Sequence, residues 1–355
     1  MSFRPKIDEI DVKIMRALLK DPRISFCDIA KECDISSNSI RLRFERLKEE
    51  GVITGAITQV NPKSLGYNCI ADIGIQTYAQ EKVNILEFLK NIPGILWIFP
   101  NIGKYNIMSI VALPNVDDLA YTIEKIRCHP QVIAADAYIW VDVVRMARPE
   151  NLVIEPSNQA SHTTELVPRK CTPKPKLISL PVSKATENHH DKESMEFDKT
   201  DLSIMKVLSQ NARISFRRLA DRLGISTQSV IRRYERLRKE VLPYSSITLD
   251  LSKLGFMGTV SILIKVTHKQ KISDVLDKIL QIPNVIVAFR VLGLADIMIS
   301  IPFTTVEQLF ILEQEIFQIP GVVQTELLLR RPFHTWPLNV FDKLLPNQTQ
   351  ALEKR

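Results

Sequence analysis

The 355-residue sequence lacks the features that mark membrane, secreted and zinc-binding proteins. No run reaches the roughly 18 apolar residues of a membrane span, so we expect no integral membrane protein. The N-terminus has no apolar core followed by small residues, so we expect no secretory signal. The five cysteines are odd in number, far apart and never spaced as C-x-x-C. They indicate reduced thiols in a cytoplasmic protein rather than a disulfide framework or a zinc module.

Common enzyme motifs are absent as well. The sequence has no P-loop, no G-x-G-x-x-G, no H-E-x-x-H and no G-x-S-x-G. The adjacent His189 and His190 have no further ligands at matching spacing, which favours solvated residues over a metal site. We therefore expect no catalytic residue, no metal and no cofactor. The formal net charge of +7 permits a polyanionic partner without identifying one.

An internal duplication determines the architecture. Residues 11–50 align with residues 201–240 without a gap and share 17 identities in 40 positions. Two strings are repeated without change. They are Arg23-Ile24-Ser25-Phe26 against Arg213-Ile214-Ser215-Phe216, and Glu45-Arg46-Leu47 against Glu235-Arg236-Leu237.

Each half continues with a second pattern, in which a proline ends a helix-like stretch and a β-branched run follows it. The order strand, helix, strand, strand, helix, strand predicts a ferredoxin-like β-α-β-β-α-β sandwich. We predict strands near 69–77, 95–101, 106–113, 132–141, 259–267, 284–292, 296–301 and 322–330. The fold class is α+β, with two copies of a winged-helix-like helix-turn-helix domain followed by a ferredoxin-like sandwich domain.

The predicted domains follow from this duplication and from a segment that has no periodicity. Prolines and charged residues in that segment predict a flexible linker. The domains are a helix-turn-helix domain at 1–60, a sandwich at 61–150, the linker at 151–198, a second helix-turn-helix domain at 199–250, a second sandwich at 251–335, and a tail at 336–355.

The helix-turn-helix pattern lies in the second and third helices of each half. Ser36 and Ser226 are positioned to cap the third helix. Ile40, Phe44 and Leu47 form one buried stripe, matched by Val230, Tyr234 and Leu237. The front of such a helix enters the major groove of double-stranded DNA, and arginines further along can reach phosphates. The predicted DNA-binding residues are Ser36, Ser37, Asn38, Arg41, Arg43, Arg46, Ser226, Thr227, Gln228, Arg232, Arg233 and Arg236.

This order of domains resembles the Lrp/AsnC family of feast/famine transcription regulators. The resemblance rests on Asp11-x-x-Ile14-Met15-x-x-Leu18, Arg23-Ile24-Ser25, Ile35-Ser36, Glu45-Arg46-Leu47 and Leu65-Gly66-Tyr67. It covers nearly the whole chain except the linker and the tail. The usual member carries one such unit, whereas this chain carries two.

The resemblance implies that the sandwich domains pair subunits and that an amino-acid-like effector binds near the turn between their second and third strands. The corresponding residues are Gly103, Lys104, Tyr105 and Asn106 in the first half, and Gly293 and Asp296 in the second. The first half replaces the family's aspartate with Asn106, whereas the second has leucine and alanine between glycine and aspartate. Alternatively, the two glycines only supply the positive φ of a tight hairpin.

The sandwiches are also expected to associate, because their helices cover one face of each sheet. We expect Ile73, Ile75, Ile262 and Ile264 on the uncovered faces, paired within one chain or between chains. Residues 11–50 carry a net charge of +1 and residues 201–240 carry +6, which favours the second head as the stronger DNA binder.

Two other functions are open at this stage. Sirohaem decarboxylases, sometimes fused in tandem, resemble this chain in their two-domain plan but carry a histidine in the strand before the glycine turn. Residues 95–102 and 285–292 have none, which disfavours this alternative. A protein-interaction scaffold with weak DNA binding is the other alternative. We expect a DNA-binding transcription regulator and no enzyme.

Overall fold

The computed structural model describes residues 5–78, 82–141, 147–157 and 196–345. Two halves with the same order of elements form the molecule, as the duplication predicts. The first half consists of α1 (Glu9–Lys20), α2 (Phe26–Cys33), α3 (Ser37–Glu49), β1 (Ile53–Gln59), β2 (Cys69–Thr77), α4 (Lys82–Lys90), β3 (Ile95–Pro100), β4 (Ile107–Leu113), α5 (Val116–Arg127) and β5 (Val132–Trp140). The second consists of α6 (Lys199–Gln210), α7 (Phe216–Leu223), α8 (Thr227–Glu240), β6 (Tyr244–Leu249), β7 (Gly258–Val266), α9 (Ile272–Ile279), β8 (Val287–Leu292), β9 (Ile297–Phe303), α10 (Glu307–Phe317) and β10 (Val322–Arg330).

The strand after each three-helix head pairs with its counterpart from the other half. β1 and β6 form a two-stranded antiparallel ribbon in which Ile57 lies opposite Ser246. Helix α1 packs on β6, and helix α6 packs on β1. The Ser246 hydroxyl donates to the Leu19 carbonyl at 2.9 Å, and the Ala212 N–H donates to the Ala56 carbonyl at 2.9 Å. Each head is therefore built partly on the other half of the chain.

The eight strands of the two sandwiches form one sheet in the order β10-β7-β9-β8-β5-β2-β4-β3. The halves join where β5 pairs with β8, through Ile139 opposite Leu292. A matching bridge between Ile102 and Leu329 joins the two outer edges through two 2.8 Å hydrogen bonds. The junctions are equivalent, since Ile102 and Leu292 hold the same position in the two halves. Pairing within one chain, one of the two arrangements that the sequence allows, is thus present in the structure.

Two glycines permit the close approach at these junctions. Gly103 has φ of +135°, and a Cβ atom there would lie 2.5 Å from the Leu327 carbonyl oxygen of the other half. Gly293 has φ of +156°, and its Cβ would lie 2.4 Å from the Ala137 carbonyl oxygen. Carbon and oxygen cannot approach so closely, so only glycine fits at either turn.

The two faces of the sheet in each sandwich are covered differently: helices cover one face, and the other half of the chain covers the other. Ile73 and Ile75 pack with Ile85, Leu89 and other residues of the first half's helices, and Ile262 and Ile264 do the same in the second. The expectation that these four lie on the uncovered faces was wrong. Both faces of β2 and β7 are buried, one lined by isoleucines and the other by residues such as Asp72 and Ser261, so alternation alone does not show which face meets the helices. The faces that meet between the halves carry Met108, Tyr138 and Trp140 from the first and Phe289 and Met298 from the second, among others.

Polar groups also lie between the four-stranded parts that the two halves contribute to this sheet. Asp72 is buried and accepts a 2.7 Å hydrogen bond from the Trp140 indole N–H. At the equivalent positions of the second half, Arg330 donates to the Ser261 hydroxyl. Burial raises the pKa of Asp72 to about 7, and the indole hydrogen bond and the Arg330 charge act in the opposite direction. The interior of the sheet pair therefore contains a carboxyl group that titrates near neutrality.

The ends of the predicted linker and tail that the structure describes are packed. Leu152 and Ile154 are buried against the first head, and the Ser157 N–H donates to the Ile7 carbonyl at 2.8 Å. In the tail, Trp336 pairs with Leu249 at the end of the ribbon, and Phe341 is buried near the second head. The remaining linker residues, including His189 and His190, and the end of the tail lie outside the described residues. No helix in the described ranges is long and apolar enough to cross a bilayer.

We predict that Gly293→Ala destabilises the junction between the halves. Overpacking costs about 1–3 kcal/mol, and this cost adds to the strain of the positive φ. Gly66→Ala is the matched control, because Gly66 has φ of +86° but no atom within 4 Å of the added Cβ. Urea unfolding should show a larger loss for Gly293→Ala, and equal losses would contradict the close approach.

Asp72 predicts a pH dependence of stability. Its raised pKa means that the folded chain binds this proton more tightly than the unfolded chain between about pH 4 and 7. The free energy of unfolding should therefore fall as the pH rises through that window. Asp72→Asn should remove this component in urea unfolding at pH 5 and pH 8, whereas Asp277→Asn, at an exposed position, should follow the wild type. An unchanged pH profile in Asp72→Asn would refute the assignment.

Candidate nucleic-acid interface

The third helix of each head begins where the sequence predicts. The Ser36 hydroxyl accepts from the Ser39 N–H at 3.0 Å, and Ser226 accepts from Ser229 at 3.1 Å. Both serines are extended residues immediately before the helix, which confirms their role as N-caps. The buried stripe is confirmed too, since Ile40, Phe44 and Leu47 and their counterparts Val230, Tyr234 and Leu237 are all buried.

The polar residues at the front of each third helix lie outside the core. Asn38, Thr227 and Gln228 are exposed, Ser37 is partly exposed, and Arg41 and Arg232 are exposed one turn later. In the first head the Arg41 guanidinium donates to the Asn38 side-chain oxygen at 2.7 Å. Position 231 holds isoleucine where the first half has Arg41, so Gln228 lacks an arginine at that spacing. The fronts of α3 and α8 thus present different hydrogen-bonding groups.

Four of the predicted phosphate-binding arginines form ion pairs inside the heads. Arg43 and Arg46 lie 2.9 and 2.5 Å from the two oxygens of Asp11, whose side chain is fully buried. Arg43 also pairs with Asp8 at 2.6 Å. The second head repeats the arrangement, with Arg233 on Asp198 and Asp201 and Arg236 on Asp201.

These ion pairs give the four arginines a structural role that the sequence argument missed. They tie the third helix to the start of the first helix in each head. Removing one partner of a buried pair leaves an uncompensated charge, which destabilises a protein strongly. The signal was present in the sequence, because Asp11 and Asp201 open the two aligned repeats. Their contact with DNA remains a prediction, and their charge is already partly compensated within the protein.

The difference in charge between the heads is concentrated on the second helix. The outward positions of α7 carry Arg217, Arg218, Asp221 and Arg222, a sum of +2. The same positions of α2 carry Cys27, Asp28, Lys31 and Glu32, a sum of −1. In a helix-turn-helix this first helix of the pair crosses the phosphate backbone. The geometry therefore favours phosphate contact by the second head more than by the first.

The residues proposed to bind an effector lie at the junctions between the halves. Gly103 and Gly293 are the two close-approach glycines described above. Asn106 and Asp296 have a common role despite their different chemistry, since Asn106 accepts from the Thr77 N–H and Asp296 from the Val266 N–H, each at 2.8 Å. The change from aspartate to asparagine preserves this hydrogen bond.

The other two residues of the first turn meet a carboxylate. Tyr105 is buried, and its hydroxyl lies 2.7 Å from both Asp136 and the Tyr138 hydroxyl. The Lys104 ammonium group lies 4.8 Å from the Tyr105 ring centroid and 4.0 Å from Asp136. Each of these residues makes contacts within the protein. Their role in binding an effector remains a prediction.

The described histidines and cysteines do not come together in a metal-ion cluster. The described part of the chain includes no cluster of three His, Cys, Asp or Glu side chains suited to a metal ion. The described histidines, His129, His268 and His334, all lie outside the strands of the sheet. The four described cysteines, Cys27, Cys33, Cys69 and Cys128, are free thiols.

Comparison with known families agrees with the two heads and the second sandwich. The winged helix-turn-helix DNA-binding model matches residues 7–54, the AsnC-type helix-turn-helix domain matches residues 197–238, and the Lrp/AsnC ligand binding domain matches residues 259–335. The HTH-type transcriptional regulator Ptr1 of Methanocaldococcus jannaschii is 35% identical over 34% of this chain and 82% of its own length. The chain belongs to the Lrp/AsnC family. Regulatory protein AsnC of Escherichia coli is 29% identical over 40% of the chain and 97% of its own length, so each relative corresponds to one half.

A solved structure matches the tandem arrangement as a whole. The siroheme decarboxylase NirDL aligns over 98% of this chain and 100% of its own, with a TM-score of 0.59 and 16% sequence identity. At that identity the likeness shows a common fold. The overall arrangement of the two halves of this chain is therefore shared with a protein that carries the name of an enzyme.

The ion pairs predict which substitutions unfold a head. Arg233→Met combined with Arg236→Met should lower the free energy of unfolding by up to about 3 kcal/mol, because it leaves the buried Asp201 carboxylate without an ion-pair partner. Arg232→Met, on the exposed side of the same helix, is the control and should cost less than about 0.5 kcal/mol. Thermal unfolding followed by circular dichroism measures both. Similar melting temperatures for the two variants would contradict a stabilising role of the ion pairs.

Proposed function

We propose that the chain is a sequence-specific, double-stranded DNA-binding transcription regulator that acts in the cytoplasm. The observation that carries this proposal is the paired presentation of two helix-turn-helix heads. The β1–β6 ribbon and the common eight-stranded sheet hold both heads in one molecule, so a single chain offers two recognition helices. The names of the half-length relatives, which are transcriptional regulators, support the same function.

The second head is proposed to supply most of the affinity. Binding to DNA depends on the number of phosphates that a protein neutralises. Helix α7 offers three outward arginines, whereas Asp28 and Glu32 on α2 would repel phosphates. The first head then contributes mainly position along the duplex.

Sequence choice is assigned to the fronts of α3 and α8. Carboxamides can pair bidentately with adenine in the major groove, a contact worth about 1–3 kcal/mol against a wrong base. Gln228 is exposed for such a contact. Asn38 is held by Arg41, and this pair would meet the base edges together. The two half-sites are therefore expected to differ in sequence.

The decarboxylase fold gives no support of its own to an enzymatic function. In this chain the space between the two sheets is occupied by aromatic side chains, including Tyr105, Tyr138, Trp140 and Phe289. The described histidines lie outside the strands. We therefore favour a transcription regulator over an enzyme. The proposal includes an effector that binds the sandwich domains.

The charge on α7 gives the test of this function. Arg217→Glu combined with Arg218→Glu should weaken DNA binding and reduce the slope of log K against log salt by about 0.9 for each phosphate that the variant no longer neutralises. Fluorescence anisotropy on the best fragment from genomic footprinting, at several salt concentrations, measures both quantities.

Two further double variants serve as controls for this test. Lys269→Glu combined with Lys278→Glu changes the net charge equally on exposed positions of the second sandwich, and it should leave the slope almost unchanged. The reverse exchange on the first head, Asp28→Arg with Glu32→Arg, should strengthen binding. Salt-insensitive binding by the wild type, or equal losses in both double variants, would refute the proposed role of the second head.

A further inference from the structure

An exchange of arginines links the two heads. Arg23 lies in the turn between α1 and α2 of the first head, but its guanidinium carbon is 4.4 Å from the centroid of the Phe216 ring and 5.4 Å from that of Tyr234. Arg213 lies in the equivalent turn of the second head and is 4.9 Å from Phe26 and 5.0 Å from Phe44. We call Arg23 and Arg213 the crossed arginines.

The contacted rings belong to the helices that would read DNA. Phe26 and Phe216 open α2 and α7, while Phe44 and Tyr234 lie on the recognition helices α3 and α8. The rings of each head pack against each other, with centroids 5.3 Å apart in the first and 5.0 Å apart in the second. Each crossed arginine therefore rests on the junction between the second and third helices of the opposite head.

The environment of the crossed arginines strengthens this contact. Attraction between a guanidinium and an aromatic face increases when the pair is shielded from water. Both arginines are partly buried, and burial lowers the pKa of each. Arg213 also donates to the Pro22 carbonyl of the first head. The two like charges disfavour each other, and Asp21 offsets this repulsion by attracting both.

These contacts reach parts of the heads beyond the main anchors of the ribbon. The β1–β6 ribbon anchors α1 and α6, whose packing was described above. Helix α3 also contacts β1, and the crossed arginines add contacts from the opposite half to α2, α3, α7 and α8. They also account for the repeated string, because Arg23-Ile24-Ser25-Phe26 and Arg213-Ile214-Ser215-Phe216 each contain one arginine of the exchange and one ring that receives the other.

We propose that Arg23 and Arg213 are positioning residues that fix the separation and orientation of the two recognition helices, and thereby select the spacing between the two DNA half-sites that one chain binds. The inference rests on the proposed DNA-binding function. A duplex turns once in about 10–10.5 base pairs, so inserting one or two base pairs moves and rotates one half-site relative to the other. Rigidly held heads tolerate such a change poorly, whereas loosely held heads accommodate it.

The first experiment measures the coupling of the heads without DNA. Spin labels are placed at Leu42→Cys and Arg232→Cys, which are equivalent exposed positions of α3 and α8, in a chain whose native cysteines are replaced by serine or alanine. Pulsed electron paramagnetic resonance should give one narrow distance distribution. Arg23→Gln with Arg213→Gln should broaden it severalfold.

Two further variants distinguish the contact from a general loss of charge. Arg16→Gln with Lys206→Gln removes the same charge from exposed, equivalent positions of α1 and α6, and it should keep the distribution narrow. Phe26→Leu with Phe216→Leu removes ring partners without changing charge and should broaden the distribution. Circular dichroism confirms that each variant is folded. A narrow distribution in the arginine variant, or a broad one in the wild type, would overturn the proposal.

The second experiment measures spacing on DNA. Selection from a library of random duplexes should yield two half-sites at one dominant spacing for the wild type and for Arg16→Gln with Lys206→Gln. The Arg23→Gln, Arg213→Gln variant should enrich the same half-sites at several spacings. Inserting one base pair between the half-sites should lower the affinity of both proteins. The loss should be about tenfold smaller for this variant than for the wild type.

The two experiments distinguish a failure of the proposed selection of spacing from a failure of the proposed DNA-binding function. If the arginine variant retains the single spacing of the wild type, the proposed selection of spacing is wrong. If none of the proteins enriches any duplex, the proposed DNA-binding function fails and the selection of spacing fails with it. In that case the distance measurement still decides whether the crossed arginines hold the heads together.

Discussion

Pairing between the two halves of one chain is the constraint on which the rest of the structure depends. Each sandwich has helices on one face of its sheet, and the other face needs an apolar partner. The second half supplies that partner, and the junctions at Ile139 with Leu292 and at Leu329 with Ile102 join the two sheets edge to edge. The same pairing brings β1 against β6 and so determines where the heads lie.

The two halves repeat the same elements but carry different side chains at equivalent positions between them. Gly74 leaves room for the ring of Tyr105 in the first half, whereas the equivalent positions of the second half hold Leu263 and Ala295. Asp72 with Trp140 corresponds to Ser261 with Arg330, so one half contributes an acidic group to the interior and the other a basic group. The asymmetry extends to the heads, where an acidic α2 faces solvent on one side and a basic α7 on the other.

Local patterns in the sequence predicted the elements well. The proline and β-branched spacing located all eight sheet strands to within a few residues, and the serine caps and buried stripes of α3 and α8 were confirmed. Alternation identified one strongly apolar face in β2 and in β7, but it did not show whether that face meets the helices or the other half. Ile73 and Ile262, which belong to the apolar faces, were therefore assigned to the other half although they pack under the helices.

Contacts between distant segments were the main omission. The ion pairs of Asp11 and Asp201 link residues more than 30 positions apart, and the crossed arginines link the two halves. Both were marked in the sequence only by identity between the repeats, which does not reveal the partner. Basic residues on a recognition helix were assigned to phosphates, although Arg43, Arg46, Arg233 and Arg236 first stabilise the protein. We therefore assign the proposed phosphate contacts first to the exposed arginines of α7.

The central claim is that one chain forms a complete two-headed DNA-binding unit through pairing in cis. Native mass spectrometry of the full chain with its selected duplex, trimmed to two half-sites, tests this claim most directly. The account predicts a complex of one 40.5 kDa chain with one duplex, in which footprinting shows both half-sites protected. A complex in which two chains are needed to protect the two half-sites would contradict it.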